Sequence, residues 1–334
     1  MKEKLNYVAT SEPEENLDND LKELELFGKV KKMDVKSYKI AAKFGKLSKG
    51  ERKWKEEYKH DKYSEFNKNG FIFKKILLQS DDIFVEKFEY EFNQQNKKMK
   101  EYYYGETDEE ETLTSKTEYI YNNNVLIELN TYSFDNEMIG KTDYNYKNGL
   151  LIEEITYNEN GDIESKTINI YNDNNLIDTS TYNIEGNKTY CKEIEYDEDN
   201  NISCIKSTFF YKETLNKIHK IIYQSFKNKL LIEFEEECYN KDYSNTRIYS
   251  DILQYEYEQN KLVAKFKVSN NSRYLVMKYE YDVYGNIAKR FEDEKVEIFT
   301  WEYKYDSYNN WIEQIEYRNS VPQYIIERII EYYE

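Results

Sequence analysis

Hydrophobic and polar positions alternate along most of this chain, and short polar clusters separate the alternating runs. Phe299, Trp301, Tyr303 and Tyr305 stand at every second position, which places four aromatic side chains on one face of a strand. A polar cluster of Asp, Ser and Asn residues follows, and the next alternating run begins at Trp311. Asn, Asp and Gly tolerate positive φ or bond their own backbone, which makes them typical of tight hairpins. The pattern predicts strands joined by short turns.

The same pattern returns at a fixed interval. Tyr121, Tyr146, Tyr171 and Tyr196 are each 25 residues apart. Each is an aromatic anchor that is followed by a few turn residues and then by an aliphatic pair. The full series of structural repeat anchors is Phe66, Phe92, Tyr121, Tyr146, Tyr171, Tyr196, Phe226, Tyr257, Tyr281 and Tyr305. A fixed period in this range indicates a stacked repeat architecture.

The fold class predicted from these repeats is all-β. We expect a long antiparallel β-meander of about ten two-stranded repeats, each of 24–31 residues. Open twisted sheets rarely pass about ten strands without curling, so the sheet is predicted to be curved or coiled. Open edges recruit other strands, and the N-terminal basic segment and residues 325–333 are the expected caps.

Three regions are predicted along the chain. Residues 1–24 are expected to form a flexible acidic tail. Residues 25–63 are expected to hold an N-terminal strand, or cap, and a basic insertion, and residues 64–334 the repeat domain. Function is expected where the period fails, which is at residues 38–63, 105–115, 210–218 and 238–246.

Composition sharpens this prediction. Aromatic residues make up 16% of the 334 residues, with 36 Tyr among them, which argues against disorder. The mean hydropathy of −0.97 is low for a chain with a thick core. A thin sheet is therefore expected, in which cross-strand Tyr stacks and Lys–Glu pairs contribute about 0.2–1 kcal/mol each.

The net charge of −17 argues against a general binder of nucleic acid or of anionic membranes. Residues 22–62 nevertheless contain 14 Lys and Arg against 7 Asp and Glu. Two interpretations stay open for this basic surplus: a solvated face, or a contact site for an acidic partner or for the acidic repeats. The possible contact residues are Arg52, Lys53, Trp54 and Lys55.

The chain shows no secretory signal and no run of 18 apolar residues. The expectation is a cytoplasmic protein with no membrane partner, although export by a signal-independent machine would leave no such mark.

The last repeats carry a family resemblance. Residues 279–287 read YEYDVYGNI and residues 303–312 read YKYDSYNNWI. Both resemble the YxYDxxGN core of bacterial YD repeats, the unit of Rhs-type shell proteins, and the resemblance covers about residues 25–334. The similarity is to short, poorly characterised members without a toxin, because neither the autocleavage motif nor a toxic domain follows the repeats. It implies a β-repeat scaffold.

Candidate chemistry is sparse. His60 and His219 share no metal-ligand spacing, and Cys191, Cys204 and Cys238 form no CxxC pair. Acidic turns such as residues 197–200 are better explained by turn chemistry than by calcium binding. No nucleotide-binding or nucleophile-elbow motif appears. We therefore expect no enzyme, no cofactor and no metal site.

Three hypotheses of function remain. The leading one is a non-enzymatic repeat scaffold that binds a macromolecular partner, which is expected to be a protein. One example is an immunity or accessory protein of a bacterial competition system. The alternative is a surface or carbohydrate-binding repeat protein that uses its Tyr ladders. The third, an enzyme, would need a pocket that gathers several polar side chains.

Overall fold

The computed structural model describes residues 19–43, 46–52, 61–78, 84–107, 110–210, 217–227, 230–240, 246–293 and 296–334. Among the described residues, no helix has the length and apolar character needed to cross a membrane.

The described chain contains one short helix and a series of strands. The helix is α1 (Asp20–Glu23). The strands are β1 (Val30–Lys43), β2 (Lys46–Arg52), β3 (Asp61–Phe66), β4 (Ile72–Leu78), β5 (Phe84–Phe92), β6 (Lys98–Thr107), β7 (Glu110–Asn122), β8 (Val125–Ser133), β9 (Met138–Lys147), β10 (Leu150–Asn158), β11 (Ile163–Asn172), β12 (Asn175–Asn183), β13 (Lys188–Tyr196), β14 (Ile202–Phe210), β15 (Lys217–Lys227), β16 (Leu230–Asn240), β17 (Thr246–Glu258), β18 (Lys261–Ser269), β19 (Ser272–Tyr281), β20 (Ile287–Glu292), β21 (Glu297–Tyr305), β22 (Trp311–Arg318) and β23 (Val321–Tyr332). The prediction of an all-β antiparallel meander is confirmed.

The chain divides into two compact units. One, the N/C unit, comprises the described residues within 19–139, 281–289 and 297–334. The other, the middle unit, comprises the described residues within 140–280 and 290–296. Within each unit, strands that follow one another in the chain pair antiparallel, as β3 does with β4 and β10 does with β11.

Strand β1 breaks the simple order inside the N/C unit. Residues 30–39 pair antiparallel with β23, the last strand of the chain. On the other edge of β1, residues 32–35 pair with β3 and residues 38–43 pair with β2. The two segments that were predicted to cap opposite ends of the sheet therefore bond to each other.

This pairing corrects the prediction of a curved or coiled repeat sheet whose ends are capped separately. Within the N/C unit, β1 and β23, the first and last strands of the chain, are hydrogen-bonded neighbours, and β1 also pairs with β2 and β3. The pairing satisfies backbone N–H and C=O groups that these two strands would otherwise leave exposed at open edges.

Two kinds of turn join the strands. In the first, an Asn or Asp begins a five-residue turn and its Oδ1 accepts the backbone N–H groups two and four residues later, as Asn158 does from Asn160 and Asp162. The same bonds occur at Asn67, Asn93, Asn183, Asp197, Asp282 and Asp306. In the second, two residues with positive φ make a tight hairpin, as Asn148 and Gly149 do.

A cluster of buried apolar side chains lies in the N/C unit. Leu21, Leu26, Val30, Met33 and Phe66 form this cluster, and Phe66 has no exposed surface. The helix α1 fixes the segment that carries the first two of these residues. Its N-cap residue accepts a backbone N–H through a side-chain oxygen, as N-cap residues do.

Elsewhere the described strands are half-buried on both faces. One face of the N/C unit carries Lys–Glu pairs, for example Lys74 between Glu65 and Glu89 at 3.9 and 4.0 Å. We call it the ion-paired face. The opposite face carries most of the aromatic rings, including Phe88 and Trp301, and we call it the aromatic face.

Candidate functional site

Three basic side chains meet on the aromatic face of the N/C unit. Arg328 on β23 and Lys62 on β3 both stand directly opposite Val35 of β1, one on each side of it. Lys75 on β4 pairs with Ser64, two residues beyond Lys62. Residues directly opposite each other in an antiparallel pair share a face, and diagonal neighbours are within reach of long side chains. Strand register therefore assembles Lys62, Lys75 and Arg328 into what we call the cationic cluster.

Aromatic rings support two members of the cationic cluster. The Arg328 guanidinium carbon lies 3.4 Å from the centroid of the Trp311 ring. The Lys75 ammonium lies 5.8 Å from the centroid of the Phe88 ring. Cation–π contacts of this kind hold a basic side chain in place without neutralising its charge. The rings thus hold these two side chains in place within the cluster.

The charges of the cluster act on one another. Burial among surrounding protein atoms lowers the pKa of Lys62 below its usual range, and the positive charges of Lys75 and Arg328 lower it further. The Lys62 side chain is still open to solvent by surface area. Among the described residues, neither Lys62 nor Lys75 has a carboxylate partner. An accessible group of like charges that repel one another is an arrangement that a bound anion would stabilise.

Other lysines of the same unit differ in this respect. Lys74, next to Lys75 but on the ion-paired face, is bracketed by two glutamates. Lys87 contacts Glu89 at 3.3 Å and also Glu111, and Lys49 contacts Glu327 at 2.5 Å. The two cluster lysines therefore differ from these ion-paired lysines of the same unit.

Of the four contact residues predicted from sequence, only Arg52 lies among the described residues. Lys53, Trp54 and Lys55 lie outside the described residues, as does His60. Arg52 is the last residue of β2 and stands opposite Tyr38. Lys62, at the end of the predicted basic segment, is the one member of that segment in the cationic cluster. Sequence reasoning missed Lys75 and Arg328, for which the only available signal was their position in alternating strands.

The other candidate residues form no catalytic grouping in the part of the chain that is described. Cys191 and Cys204 are free thiols, and burial raises the pKa of the Cys204 thiol. The side chains of His219 and Cys238 lie outside the described residues. Among the described residues, no three His, Cys, Asp or Glu side chains gather as metal ligands would.

All ten repeat anchors lie at or near the ends of odd-numbered strands, from β3 to β21. Several of them tie neighbouring strands together. The Tyr121 hydroxyl donates to the Lys98 carbonyl at 2.9 Å, and the Tyr171 and Tyr196 hydroxyls donate to the Leu151 and Leu176 carbonyls at 2.9 and 3.0 Å. The Tyr305 hydroxyl donates to the Asp282 carboxylate. These hydroxyls are thus engaged within the scaffold.

Comparison with known proteins finds a distant similarity to a solved structure and no family. No family model and no curated protein matches the chain. Among solved structures, the chain is similar to a porin-like protein from Bacteroides uniformis, with 10% sequence identity over 90% of this chain and 96% of that chain, at a TM-score of 0.31. A match at so low a TM-score assigns neither a family nor a function.

The resemblance to YD-repeat, Rhs-like proteins is therefore wrong as an identification. No family model supports it. The YxYD pattern has a local structural role. The Tyr hydroxyl donates a hydrogen bond to the Asp carboxylate in the turn of the preceding repeat, as Tyr305 does to Asp282.

The functional predictions built on that scaffold are wrong with it. The prediction of a repeat scaffold that engages a protein partner, for example as an immunity protein, was argued from that resemblance and is wrong with it. The predictions of a cytoplasmic location and of no membrane partner are also wrong. They rested on the net charge, on the missing secretory signal and on the missing apolar run, and none of these signals determines where a protein is located.

Proposed function

We propose that this protein is a non-enzymatic binding protein that holds polyvalent oxyanions, of the phosphate or sulfate type, at the cationic cluster. The observation that carries the proposal is the convergence of Lys62, Lys75 and Arg328 on one face, where burial and mutual repulsion lower the pKa of Lys62. The pairing of β1 with β23 and β3, and of β3 with β4, fixes the register of these three side chains.

The chemistry of the cluster favours a multiply charged anion. A guanidinium presents a planar set of donors that matches phosphate and sulfate oxygens, and each lysine adds a compact point charge. Because three cations converge, an anion with two or more charges gains more from the site than chloride does. Trp311 and Phe88 restrict the motion of Arg328 and Lys75, so less conformational entropy is lost on binding.

The proposal is tested by calorimetric titration of the purified protein with inorganic phosphate and with sulfate, at fixed ionic strength set with sodium chloride. We expect saturable binding of both anions and an increase of the melting temperature with their concentration. Binding should weaken by at least tenfold in the double variant Lys62→Met, Lys75→Met.

The matched control is Lys74→Met, which removes one positive charge from the neighbouring position on the ion-paired face. It should bind phosphate as the wild-type protein does. Sulfate and phosphate also stabilise proteins nonspecifically by exclusion from the surface. If the double variant responds to both anions as strongly as the wild type, the response is nonspecific and the proposal is wrong.

A further inference from the structure

A second lysine environment, in the middle unit, differs from every ion-paired lysine described above. Lys192 lies in the centre of β13 and is only 7% exposed. Burial alone lowers the pKa of its ammonium group. Among the described residues, the Lys192 side chain makes no ion pair and no hydrogen bond. Burial of most of the side chain removes part of the hydration of the ammonium group without supplying an ion pair, so the site calls for an explanation.

The strand register defines what surrounds Lys192 on its face. Thr179 of β12 and Ser207 of β14 stand directly opposite it. Along β13 itself, the same face carries Tyr190 and Ile194, two residues away on either side. These neighbours are neutral, and Lys220, opposite Ser207 on β15, is already paired with Glu236 at 2.8 Å. The face therefore offers Lys192 hydroxyl groups and no neighbouring negative charge.

The hydroxyl groups are not equally available to a ligand. The Thr179 hydroxyl donates to the Asn169 side-chain oxygen at 3.0 Å, so its proton is committed. The Tyr190 and Ser207 hydroxyls lie 3.3 Å apart, and only one of them can donate to the other. The second hydroxyl keeps its proton for another acceptor. Lys192 and the Tyr190–Ser207 pair therefore supply one positive charge and one free donor on the same face.

We propose that Lys192, Ser207 and Tyr190 form a binding site for a small organic carboxylate. One carboxylate oxygen forms an ion pair with the Lys192 ammonium. The other accepts a hydrogen bond from the hydroxyl of the Tyr190–Ser207 pair that is still free to donate. The apolar part of the ligand lies against the rings of Tyr190 and Phe209, whose centroids are 5.0 Å apart. A single cation with one donor fits a monovalent carboxylate, in contrast to the three cations of the cationic cluster.

The test is a calorimetric titration with sodium propionate and sodium benzoate, against sodium chloride at equal ionic strength. We expect saturable binding of both carboxylates, tighter for benzoate because its ring adds apolar contact with Phe209. In Lys192→Met the affinity should fall by at least tenfold. The variant should remain folded and melt at or above the wild-type temperature, because it replaces a largely buried lysine that makes no ion pair by an apolar side chain.

Two further variants locate the effect. Ser207→Ala keeps the charge and removes one hydroxyl, so carboxylate affinity should fall several-fold without loss of the site. Lys188→Met is the matched control, since the Lys188 ammonium donates to Ser180 at 3.0 Å and the residue lies four positions from Lys192. It should bind as the wild type does. Equal binding by wild type and Lys192→Met, or no response beyond that to chloride, would overturn the proposal.

Discussion

At the scale of single residues, Phe66 has the greatest effect on stability that the structure predicts. It is fully buried in the cluster with Leu21, Leu26 and Met33, and its carbonyl accepts a hydrogen bond from the Tyr333 hydroxyl at 2.5 Å. Phe66→Ala should reduce the free energy of unfolding by about 3–5 kcal/mol, because it removes the transfer free energy of the ring and leaves a cavity. Chemical denaturation monitored by circular dichroism measures this loss.

The control for Phe66→Ala is Phe134→Ala, at a side chain that is 62% exposed. Surface substitutions of this kind usually change stability by no more than about 0.5 kcal/mol. If both variants lost the same free energy, the N-terminal cluster would not be the stabilising core that its burial indicates.

Single residues also show what the sequence could and could not predict about the candidate site. Lys62 fell within a basic surplus that was visible from composition, whereas Lys75 and Arg328 are more than 250 residues apart in the chain. Only the pairing of β23 with β1, of β1 with β3 and of β3 with β4 brings the three together. Alternation assigns each side chain to one of two faces of its strand. Alternation does not predict which strands, far apart in the chain, pair with each other.

At the scale of elements, the turns carry predictable chemistry. The turn that begins at Asp306 accepts three donors: the backbone N–H groups of Tyr308 and Asn310 at 2.9 and 3.0 Å, and the Tyr332 hydroxyl. Asn310 is 2% exposed, and its side chain bonds both the N–H and the carbonyl of Phe27 at 2.8 Å. The turn thus joins the last repeat to the N-terminal segment.

Asp306→Ala should therefore destabilise the protein by about 1–3 kcal/mol, because it leaves these donors without their acceptor. Asp306→Asn keeps a side-chain oxygen for the two backbone groups and should cost less. The two variants are compared by urea denaturation. Equal stability of Asp306→Ala and the wild type would show that water replaces the carboxylate at no cost.

Turns and strands were the part of the fold that the sequence could predict. Asn, Asp and Gly at fixed intervals mark residues with positive φ, such as Asn148, Gly161 and Asn309, and the alternating runs between them are the strands. Both signals are local. The pairing of residues 30–39 with residues 324–332 has no local signal, so the sequence did not determine whether the first and last strands meet.

At the scale of the whole molecule, the abundant tyrosines make stability depend on pH in the alkaline range. Burial, together with nearby carboxylates, raises the pKa of Tyr102, Tyr144 and Tyr332 to about 12, from an ordinary value of 10.0. Burial also raises the pKa of Tyr63, Tyr90, Tyr119 and Tyr305. In the folded protein these phenols hold their protons at a pH where the unfolded chain has lost them.

The sign of the effect follows from proton linkage. Between pH 10 and about pH 12 the folded state binds more protons than the unfolded state, so the free energy of unfolding falls as the pH rises through this window. The stabilisation that these groups contribute is fully present below pH 10. Urea denaturation at a series of pH values should show this fall, and absorbance at 295 nm should show phenol ionisation at higher pH in the folded protein than in urea.

Tyr144→Phe is the matched control for the alkaline effect. The pKa of Tyr144 is raised by burial first and then by Glu154 and Tyr146, and Phe preserves the ring while removing the proton. The variant should lose stability less steeply between pH 10 and pH 12, and one fewer phenol should titrate late. Coincident ionisation curves for folded and urea-unfolded protein would contradict the prediction, because they would mean that the sheet does not shield its tyrosines from water.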